Sequence, residues 1–519
     1  MNKNIIKLSN AIKIKRPVLA EVLNTYSHLT ISEYASLFKK SSTLMTAETV
    51  QNSSDFIEIC SIYTEKYLGK SKAVKIKQRL EKYNDILTSN HHGPTFCNIQ
   101  IQGEIVYALS ENKGDIMPVF AFGDIPLNNS TYPRGIKLST NEKLSLFPDS
   151  KKNSLVSFVE AFSEESVNKA LVKCNKLHIS EKISDKHHRK ICDILNNIYL
   201  DKHILNYDTY SEQSVVINSK LWEKLFDHSV KEFLPEKACF EIEKIVSELL
   251  FFDLVNNNSL IFNLFYNHNL KESILKELDR QFGCWDNKKL TQLPNIDIND
   301  HEYPHKRNRL LAGSGTHFFW GIDAKKRRIA LRLTSINGIE YLTGIDDSKN
   351  EFKIEFNQNS LCQAIKNNTL LPSLFTCFTT ISFARGFQCY GGFMQTDYLS
   401  NMRDGLVKAL RQCNKNRWAE IISKIKTNNY CTGLQFILSR ISSNTVFPSG
   451  TVEIISNGGL SHNDIQFIKN ISLDQANLLG MPVKYPAVYR RDERDDILEN
   501  ISIDNIINEL GKDKFIVLE

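Results

Sequence analysis

Two adjacent histidines, His91 and His92, lie in the segment Asn90–Pro94, where a helical pattern of apolar residues gives way to a β pattern. Because imidazole titrates near neutral pH, a histidine in such a loop is suited to general acid–base catalysis. Neighbouring side chains of a strand point to opposite faces, so both rings can bind one metal ion only if the Gly-Pro turn bends them together. The alternative is a solvated pair, as we expect for His187 and His188.

A second candidate is the loop 123–135, which follows the apolar run 118–122 and contains an acid and an arginine. Asp124 is suited to orienting a catalytic histidine. Arg134 is suited to binding a substrate carboxylate or phosphate through two parallel hydrogen bonds. Polar residues at the end of a buried strand often line a pocket. The alternative is an ordered loop whose polar side chains bond only to its own backbone.

A third candidate is the strand that His317 opens and that contains Trp320. We expect His317 to be catalytic and Trp320 to contact substrate, although a buried, hydrogen-bonded histidine fits the same pattern. The preceding Gly-Ser-Gly, residues 313–315, has neither the glycine spacing of a dinucleotide loop nor the Lys-Ser/Thr ending of a P-loop. No nucleotide-phosphate site is therefore predicted.

The fourth candidate is the glycine-rich segment 383–402. An arginine at the end of an apolar helix needs a partner if it is buried. We predict that this segment binds substrate through its polar side chains, which are Arg385, Gln395, Asp397 and Tyr398. The alternative is a structural ion pair between Arg385 and Asp397 that joins two helices.

The sequence assigns no metal site and identifies no cofactor. Its eleven cysteines include no CxxC pair, which zinc ribbons and thioredoxin-like sites use. His301–His305 matches the letters of the zincin motif, but Pro304 would break the helix that this motif needs. Reduced thiols of a cytoplasmic protein fit this cysteine pattern.

Alternating helical and β blocks must position these four segments. We divide the chain into a helical lead-in (1–90), a β-rich core segment (91–160), a helical insertion (161–290) and an α+β segment that completes the core (291–519). Hairpin patterns without regular βαβ alternation favour an α+β fold with a mixed or antiparallel sheet. Its clearest element is a β-meander near 316–356.

Several individual elements are also predicted. The period-two patterns of 95–102 and 105–109 indicate paired strands around Gly103, and 452–456 indicates a short strand. Helices are expected over 360–387, interrupted near Pro372, and over 396–413.

Composition excludes several classes of protein. The chain has 519 residues, 41% of them hydrophobic, and a net charge of +6, which is too dilute to indicate a nucleic-acid partner. It has no apolar run long enough to span a membrane and no signal-peptide pattern. Its oligomeric state is not indicated.

We therefore predict a cytoplasmic enzyme of small-molecule metabolism that transfers a group on an anionic substrate. A histidine would act as general acid or base and arginines would anchor the substrate. The alternative is a non-catalytic binding or effector protein whose helices in 165–285 present a surface to a partner.

Overall fold

A computed structural model describes residues 2–41, 48–111, 114–140, 142–230, 234–280, 316–442 and 445–518. Helices make up 54% and strands 17% of the molecule, and several small antiparallel sheets accompany one parallel sheet, which confirms the mixed α+β class. The helices before residue 281 are α1 (Lys3–Lys15), α2 (Pro17–Tyr26), α3 (Ile31–Ser41), α4 (Ser54–Leu68), α5 (Lys70–Lys82), α6 (Asn98–Ala108), α7 (Glu164–Ile179), α8 (Asp185–Ile194), α9 (Lys202–Leu205), α10 (Tyr210–Lys224), α11 (Ile242–Asp253), α12 (Leu260–Tyr266) and α13 (His268–Arg280).

The remaining helices belong to the C-terminal part of the chain. They are α14 (Gln358–Lys366), α15 (Leu374–Phe378), α16 (Gln395–Gln412), α17 (Asn416–Ser423), α18 (Thr451–Ser456), α19 (His462–Asn470), α20 (Leu473–Leu479), α21 (Met481–Val488), α22 (Asp496–Glu499) and α23 (Ile503–Leu510). Two π-helical turns, Leu195–Tyr199 and Thr379–Ala384, extend α8 and α15. None of the described helices is long and apolar enough to cross a bilayer.

The strands form one large sheet and several small ones. They are β1 (Asp85–His91), β2 (Ile116–Phe122), β3 (Gly135–Lys137), β4 (Lys143–Ser145), β5 (Glu236–Glu241), β6 (Phe319–Ile322), β7 (Arg328–Ala330), β8 (Arg332–Ile336), β9 (Ile339–Ile345), β10 (Glu351–Glu355), β11 (Leu370–Pro372), β12 (Gln388–Gly392), β13 (Tyr430–Thr432), β14 (Ile437–Ser442), β15 (Thr445–Pro448) and β16 (Ile516–Leu518).

The central sheet has five parallel strands in the order β13-β12-β1-β2-β5. All seven residues of β2 are buried, as expected for a strand covered on both faces. The register pairs His91 with Phe122 and Ala121 with Glu241. The carboxyl ends of β1, β2 and β5 therefore lie level with one another at one edge of the sheet, which we call the carboxyl edge.

The predicted strand pair at 95–109 is wrong, because α6 occupies this segment. Polar and apolar residues alternate here although both kinds are buried, so the pattern imitates a half-buried strand. The buried polar groups are satisfied through tertiary contacts: Gln102 donates to the carbonyls of Ile437 and Ser449, and Glu104 forms a buried ion pair with Lys237.

The predicted meander is confirmed in its second half, where β8, β9 and β10 form an antiparallel sheet. Asn337 and Gly338 both have positive φ at the turn between β8 and β9, which is the geometry that Asn-Gly favours in a tight hairpin. The first predicted strand departs from the meander, because β6 pairs with β7 and with β11 in a separate sheet.

Three C-terminal elements have mixed outcomes. The helix predicted over 396–413 is confirmed as α16, whereas the strand predicted at 452–456 is helix α18. The interruption predicted near Pro372 within the helical segment 360–387 is confirmed, because strand β11 contains that proline.

Buried apolar residues from α1 to β16 belong to one contiguous core. The N-terminal helices take part in it: Tyr34 of α3 donates a hydrogen bond from its hydroxyl to the carbonyl of Tyr430 in β13 (2.9 Å). The lead-in therefore packs directly on the central sheet.

Candidate functional site at the carboxyl edge of the parallel sheet

Polar side chains collect where β1, β2 and β5 end. His91 and His92 end or follow β1, Asp124 lies two residues after β2, and Glu241 is the last residue of β5. In open sheets of parallel strands, ligands bind outside the carboxyl ends of the strands. Three of the four predicted catalytic residues, His91, His92 and Asp124, thus share the edge at which such sites form.

His92 is fully buried, with 0% of its surface exposed. Its Nε2 lies 3.2 Å from the carbonyl oxygen of Ser211 and 2.9 Å from the Ser211 hydroxyl. That hydroxyl donates a hydrogen bond to Oε2 of Glu241, which is itself 4.0 Å from His92 Nε2. The three side chains form a chain of contacts from imidazole through hydroxyl to carboxylate.

These contacts assign the tautomer of His92. A carbonyl oxygen only accepts hydrogen bonds, and the Ser211 proton is already donated to Glu241, so His92 Nε2 must carry the hydrogen. The lone pair of the neutral ring is then on Nδ1, which is buried and has no hydrogen-bond partner among the described residues. Burial lowers the pKa of His92 below its usual value, although Glu241 opposes this shift. The ring is therefore neutral near pH 7.

Helix α10 holds this arrangement in place. Thr209 and Glu212 form a capping box that fixes the start of α10, so Ser211 lies in its first turn. About two helical turns further along the same face, the amide of Asn218 donates to the carbonyl of Gly93 (2.9 Å) and accepts from the backbone N–H of Thr95 (2.8 Å). The helix thus binds both the ring of His92 and the backbone that follows it.

Carboxylates surround the end of β2. Glu243, in the first turn of α11, accepts hydrogen bonds from the backbone N–H groups of Gly123 (2.9 Å) and Asp124 (3.0 Å). Burial, followed by the neighbouring Asp124 and Glu241 carboxylates, raises the pKa of Glu243 well above its usual value. The raised pKa favours the neutral form of Glu243, which limits the negative charge at this edge.

Asp124 and Trp320 are brought together by Arg328. The guanidinium of Arg328 donates to Asp124 Oδ2 (3.0 Å) and lies over the ring of Trp320, 4.4 Å from its centroid. The side chain of Arg328 is 32% exposed, so solvent reaches it. This group connects the second and third predicted segments at the carboxyl edge.

His91 faces away from His92, as expected for neighbours in a strand. Its Nδ1 lies 3.0 Å from Oδ1 of Asn129 and 3.3 Å from the hydroxyl of Thr131, both in the loop 123–135. The two histidines have different partners, and the described residues give them no shared metal site.

Two other predicted residues have structural partners. Arg134 lies in the same loop, but it pairs with the exposed Asp149 (2.6 Å). His317 accepts a hydrogen bond from the backbone N–H of Leu333 through Nδ1 (3.0 Å) and is buried. His317 therefore matches the alternative of a buried, hydrogen-bonded histidine.

Arg385 lies at the opposite, amino edge of the sheet, three residues before β12. It is fully buried between Asp55 and Asp253, with closest N–O distances of 2.6 and 2.8 Å. The alternative of a structural ion pair between Arg385 and Asp397 is therefore wrong. Asp397 instead accepts from the backbone N–H of Val18 (3.2 Å) and lies near the charge of Arg16.

Gln395 and Tyr398 bond within the fold. Gln395 donates to the hydroxyl of Thr88 (2.9 Å) and to the carbonyl of Cys389 (3.2 Å), so its amide packs back onto β1 and β12. The Tyr398 hydroxyl donates to Gln395 Oε1 (3.3 Å). The fourth predicted segment therefore divides between the two edges of the sheet.

Sequence reasoning missed Ser211, Glu241, Glu243 and Arg328. The two glutamates carried a usable signal, since acids directly follow the apolar run 238–240, as Asp124 follows β2. The segments 290–309 and 313–315, including His301–His305, lie outside the described residues.

Comparisons of this chain with protein-family models, with curated proteins and with solved structures found no match in any of the three. Its function must therefore be argued from the geometry of the carboxyl edge.

Proposed function

We propose that the carboxyl edge is the active site of a cytoplasmic enzyme that transfers a group between small molecules, with His92 as its general base. The observation that carries this proposal is the lone pair of His92 Nδ1, which is buried and unpartnered among the described residues. An unsatisfied buried polar atom is costly, on the order of 1–3 kcal/mol. In His92 this atom is the basic nitrogen of an imidazole at the carboxyl edge, which gives it a chemical use.

The contacts at Nε2 make Nδ1 the basic atom of the ring, and proton transfer from a substrate requires a movement that exposes this buried atom. A hydroxyl or amine of the acceptor substrate would donate its proton to Nδ1 while its oxygen or nitrogen attacks the group being transferred. The bond between that group and its donor breaks, and the donor atom leaves with the bonding electron pair and later takes the proton back from the imidazolium. The ring becomes an imidazolium whose charge is balanced by Glu241 through the Ser211 hydroxyl. Because Ser211 and Glu241 also fix the tautomer, they are positioning residues, and His92 is the catalytic residue.

Arg328 supports a role in binding substrate. Arg134 and Arg385, the two predicted anchors, are paired with Asp149 and with Asp55 and Asp253, and their side chains are 14% and 0% exposed. Arg328 is also paired with an acid, Asp124, but its side chain is 32% exposed and it lies over Trp320. We assign to Arg328 the binding of an anionic part of the substrate, with the indole of Trp320 supporting its guanidinium.

The test compares His92→Gln with His203→Gln, an exposed histidine, as the matched control. The glutamine Nε2 can still donate to Ser211, but glutamine cannot accept a proton. Each protein is incubated with a panel of acyl, phosphoryl and glycosyl donors and with amine and alcohol acceptors, and products are followed by mass spectrometry. We expect any turnover by the wild type to fall by about 10²- to 10⁴-fold in His92→Gln and to be unchanged in His203→Gln.

Retention of wild-type turnover by His92→Gln would exclude His92 as the base. Ligand binding by the wild type, with no product from any donor and acceptor pair, would favour the non-catalytic alternative instead.

A further inference from the structure

Helices α7 and α8 form a hairpin whose facing turns carry two cysteines and two histidines. Cys174 and His178 are four residues apart on α7, and His188 and Cys192 are four residues apart on α8. Residues at this spacing share one face of a helix. The sequence order Cys-x3-His followed by His-x3-Cys therefore places two potential metal ligands from each helix side by side.

Three of these side chains already converge. The ligand atoms of Cys174, His188 and Cys192 all lie within 4.8 Å of one another, the one such group among the described His, Cys, Asp and Glu residues. Sγ of Cys192 is 3.6 Å from Nε2 of His188. With Zn–S and Zn–N bonds of about 2.3 and 2.0 Å, ligand atoms of a tetrahedral zinc site are separated by roughly this distance.

His178 supplies the second observation. Its ring stacks on that of His188, with centroids 4.3 Å apart, and its Nδ1 is buried without a hydrogen-bond partner among the described residues. Its other nitrogen, Nε2, lies 3.5 Å from the Asp185 carboxylate. A metal-binding histidine commonly has one nitrogen on the metal and the other held by a carboxylate. His178 has that arrangement, with Nδ1 available for a metal.

We propose that Cys174, His178, His188 and Cys192 bind one Zn²⁺ ion. Two sulfur and two nitrogen ligands suit tetrahedral zinc, and a set of four protein ligands is typical of structural rather than catalytic zinc. His188 Nε2 contacts Asn175 Oδ1 at 2.7 Å, so zinc binding replaces this hydrogen bond with a metal bond. The ion then crosslinks α7 and α8, independently of the chemistry at the carboxyl edge.

The experiment uses the full-length chain, reduced and stripped of metal with a chelator, then titrated with Co²⁺ and afterwards with Zn²⁺. We expect one Co²⁺ per chain, with the visible bands of tetrahedral cobalt and a thiolate-to-cobalt charge-transfer band, both abolished by stoichiometric Zn²⁺. His188→Gln and Cys192→Ser should lose these bands. The matched controls, His187→Gln on the same helix and Cys362→Ser, should retain them.

His178→Gln distinguishes four ligands from three, and its partly exposed position makes misfolding improbable as an explanation. We expect it to bind Co²⁺ at least tenfold more weakly and with a spectrum no longer characteristic of four protein ligands. Circular dichroism of every variant checks folding, and zinc should raise the melting temperature of the wild type but not of Cys192→Ser.

Four results would overturn the proposal: no cobalt spectrum with the reduced wild type, a spectrum unchanged in Cys192→Ser, equal loss in His187→Gln, or binding of Cu⁺ without binding of Zn²⁺. Recovery of Cys174 and Cys192 as a disulfide from protein purified under reducing conditions would also contradict it.

Discussion

The two ring nitrogens of His92 have different surroundings. Two oxygens of Ser211 lie within hydrogen-bond distance of Nε2, whereas Nδ1 has no hydrogen-bond partner among the described residues. The Ser211 carbonyl and hydroxyl determine which nitrogen of His92 carries the hydrogen, and Glu241 orients the Ser211 hydroxyl. The basic atom of the site is thus selected by residues about 120 and 150 positions later in the chain.

The lowered pKa of His92 makes stability depend on pH. The unfolded chain binds a proton at the usual histidine pKa of 6.5, whereas the buried ring resists protonation. The contribution of neutral His92 is therefore complete above about pH 6.5 and is lost as pH falls through the lower pKa of the folded state. We expect the free energy of unfolding, measured in urea, to fall less between about pH 7.5 and 5.5 in His92→Gln than in the wild type.

His203→Gln provides the control for this comparison and should follow the wild-type slope. Identical slopes for wild type and His92→Gln would show that His92 titrates normally in the folded state.

Ser211→Ala should destabilise the protein by about 1–3 kcal/mol, because it leaves buried Glu241 without its donor and His92 with one acceptor fewer. Ser214→Ala on the same helix removes only a bond from its hydroxyl to the carbonyl of Tyr210, so it should cost less. Equal losses for the two variants in urea denaturation would contradict a special role for Ser211.

At the scale of elements, the two edges of the parallel sheet differ in the side chains that they contain. The carboxyl edge gathers His92, Asp124 and Glu241, whereas the amino edge is closed by Arg385 between Asp55 of α4 and Asp253 of α11. One arginine thus joins two helices to the start of β12. Arg385 is buried, and its guanidinium is paired with both carboxylates.

Arg385→Met tests this division. Removing the guanidinium leaves two carboxylates facing each other, one of them buried, and should cost about 3–5 kcal/mol in urea denaturation. Arg417→Met, which breaks an exposed ion pair with Glu48, should change stability little. If Arg385→Met were as stable as the wild type but impaired in ligand binding, the predicted substrate-binding role would be restored.

At the scale of the whole molecule, local patterns predicted the small antiparallel sheets better than the large parallel one. β8 to β10 are exposed on one face and alternate visibly, and Asn337-Gly338 marks their turn. Strands β2 and β5 are buried on both faces, so their apolar runs carry no period. Residues 242–250, which directly follow β5, have apolar residues at helical spacing. This helical pattern made the preceding strand hard to recognise.

The candidate site could be predicted only in part, because local sequence patterns do not show contacts between distant segments. The turn residues in 90–94 marked His91 and His92 as lying in a loop between a helix and a strand, and Asp124 was expected just after the apolar run 118–122. Strand β1, which ends at His91, was not predicted. Nothing local indicated that Ser211 and Glu241 would meet His92, because those contacts arise only when α10 and β5 pack beside β1 and β2. The partners of Arg385, Asp55 and Asp253, could not be predicted because they lie more than 100 residues away in the chain.

The tautomer of His92 tests the account most directly, and long-range ¹H–¹⁵N spectra of protein labelled at histidine would measure it, with His92→Gln assigning the signals. We predict a neutral ring at pH 7 with hydrogen on Nε2 and a non-protonated Nδ1, and we predict that Ser211→Ala weakens this preference. Hydrogen on Nδ1 at pH 7, or an imidazolium whose pKa is at or above 6.5, would contradict the assignment of His92 Nδ1 as the base.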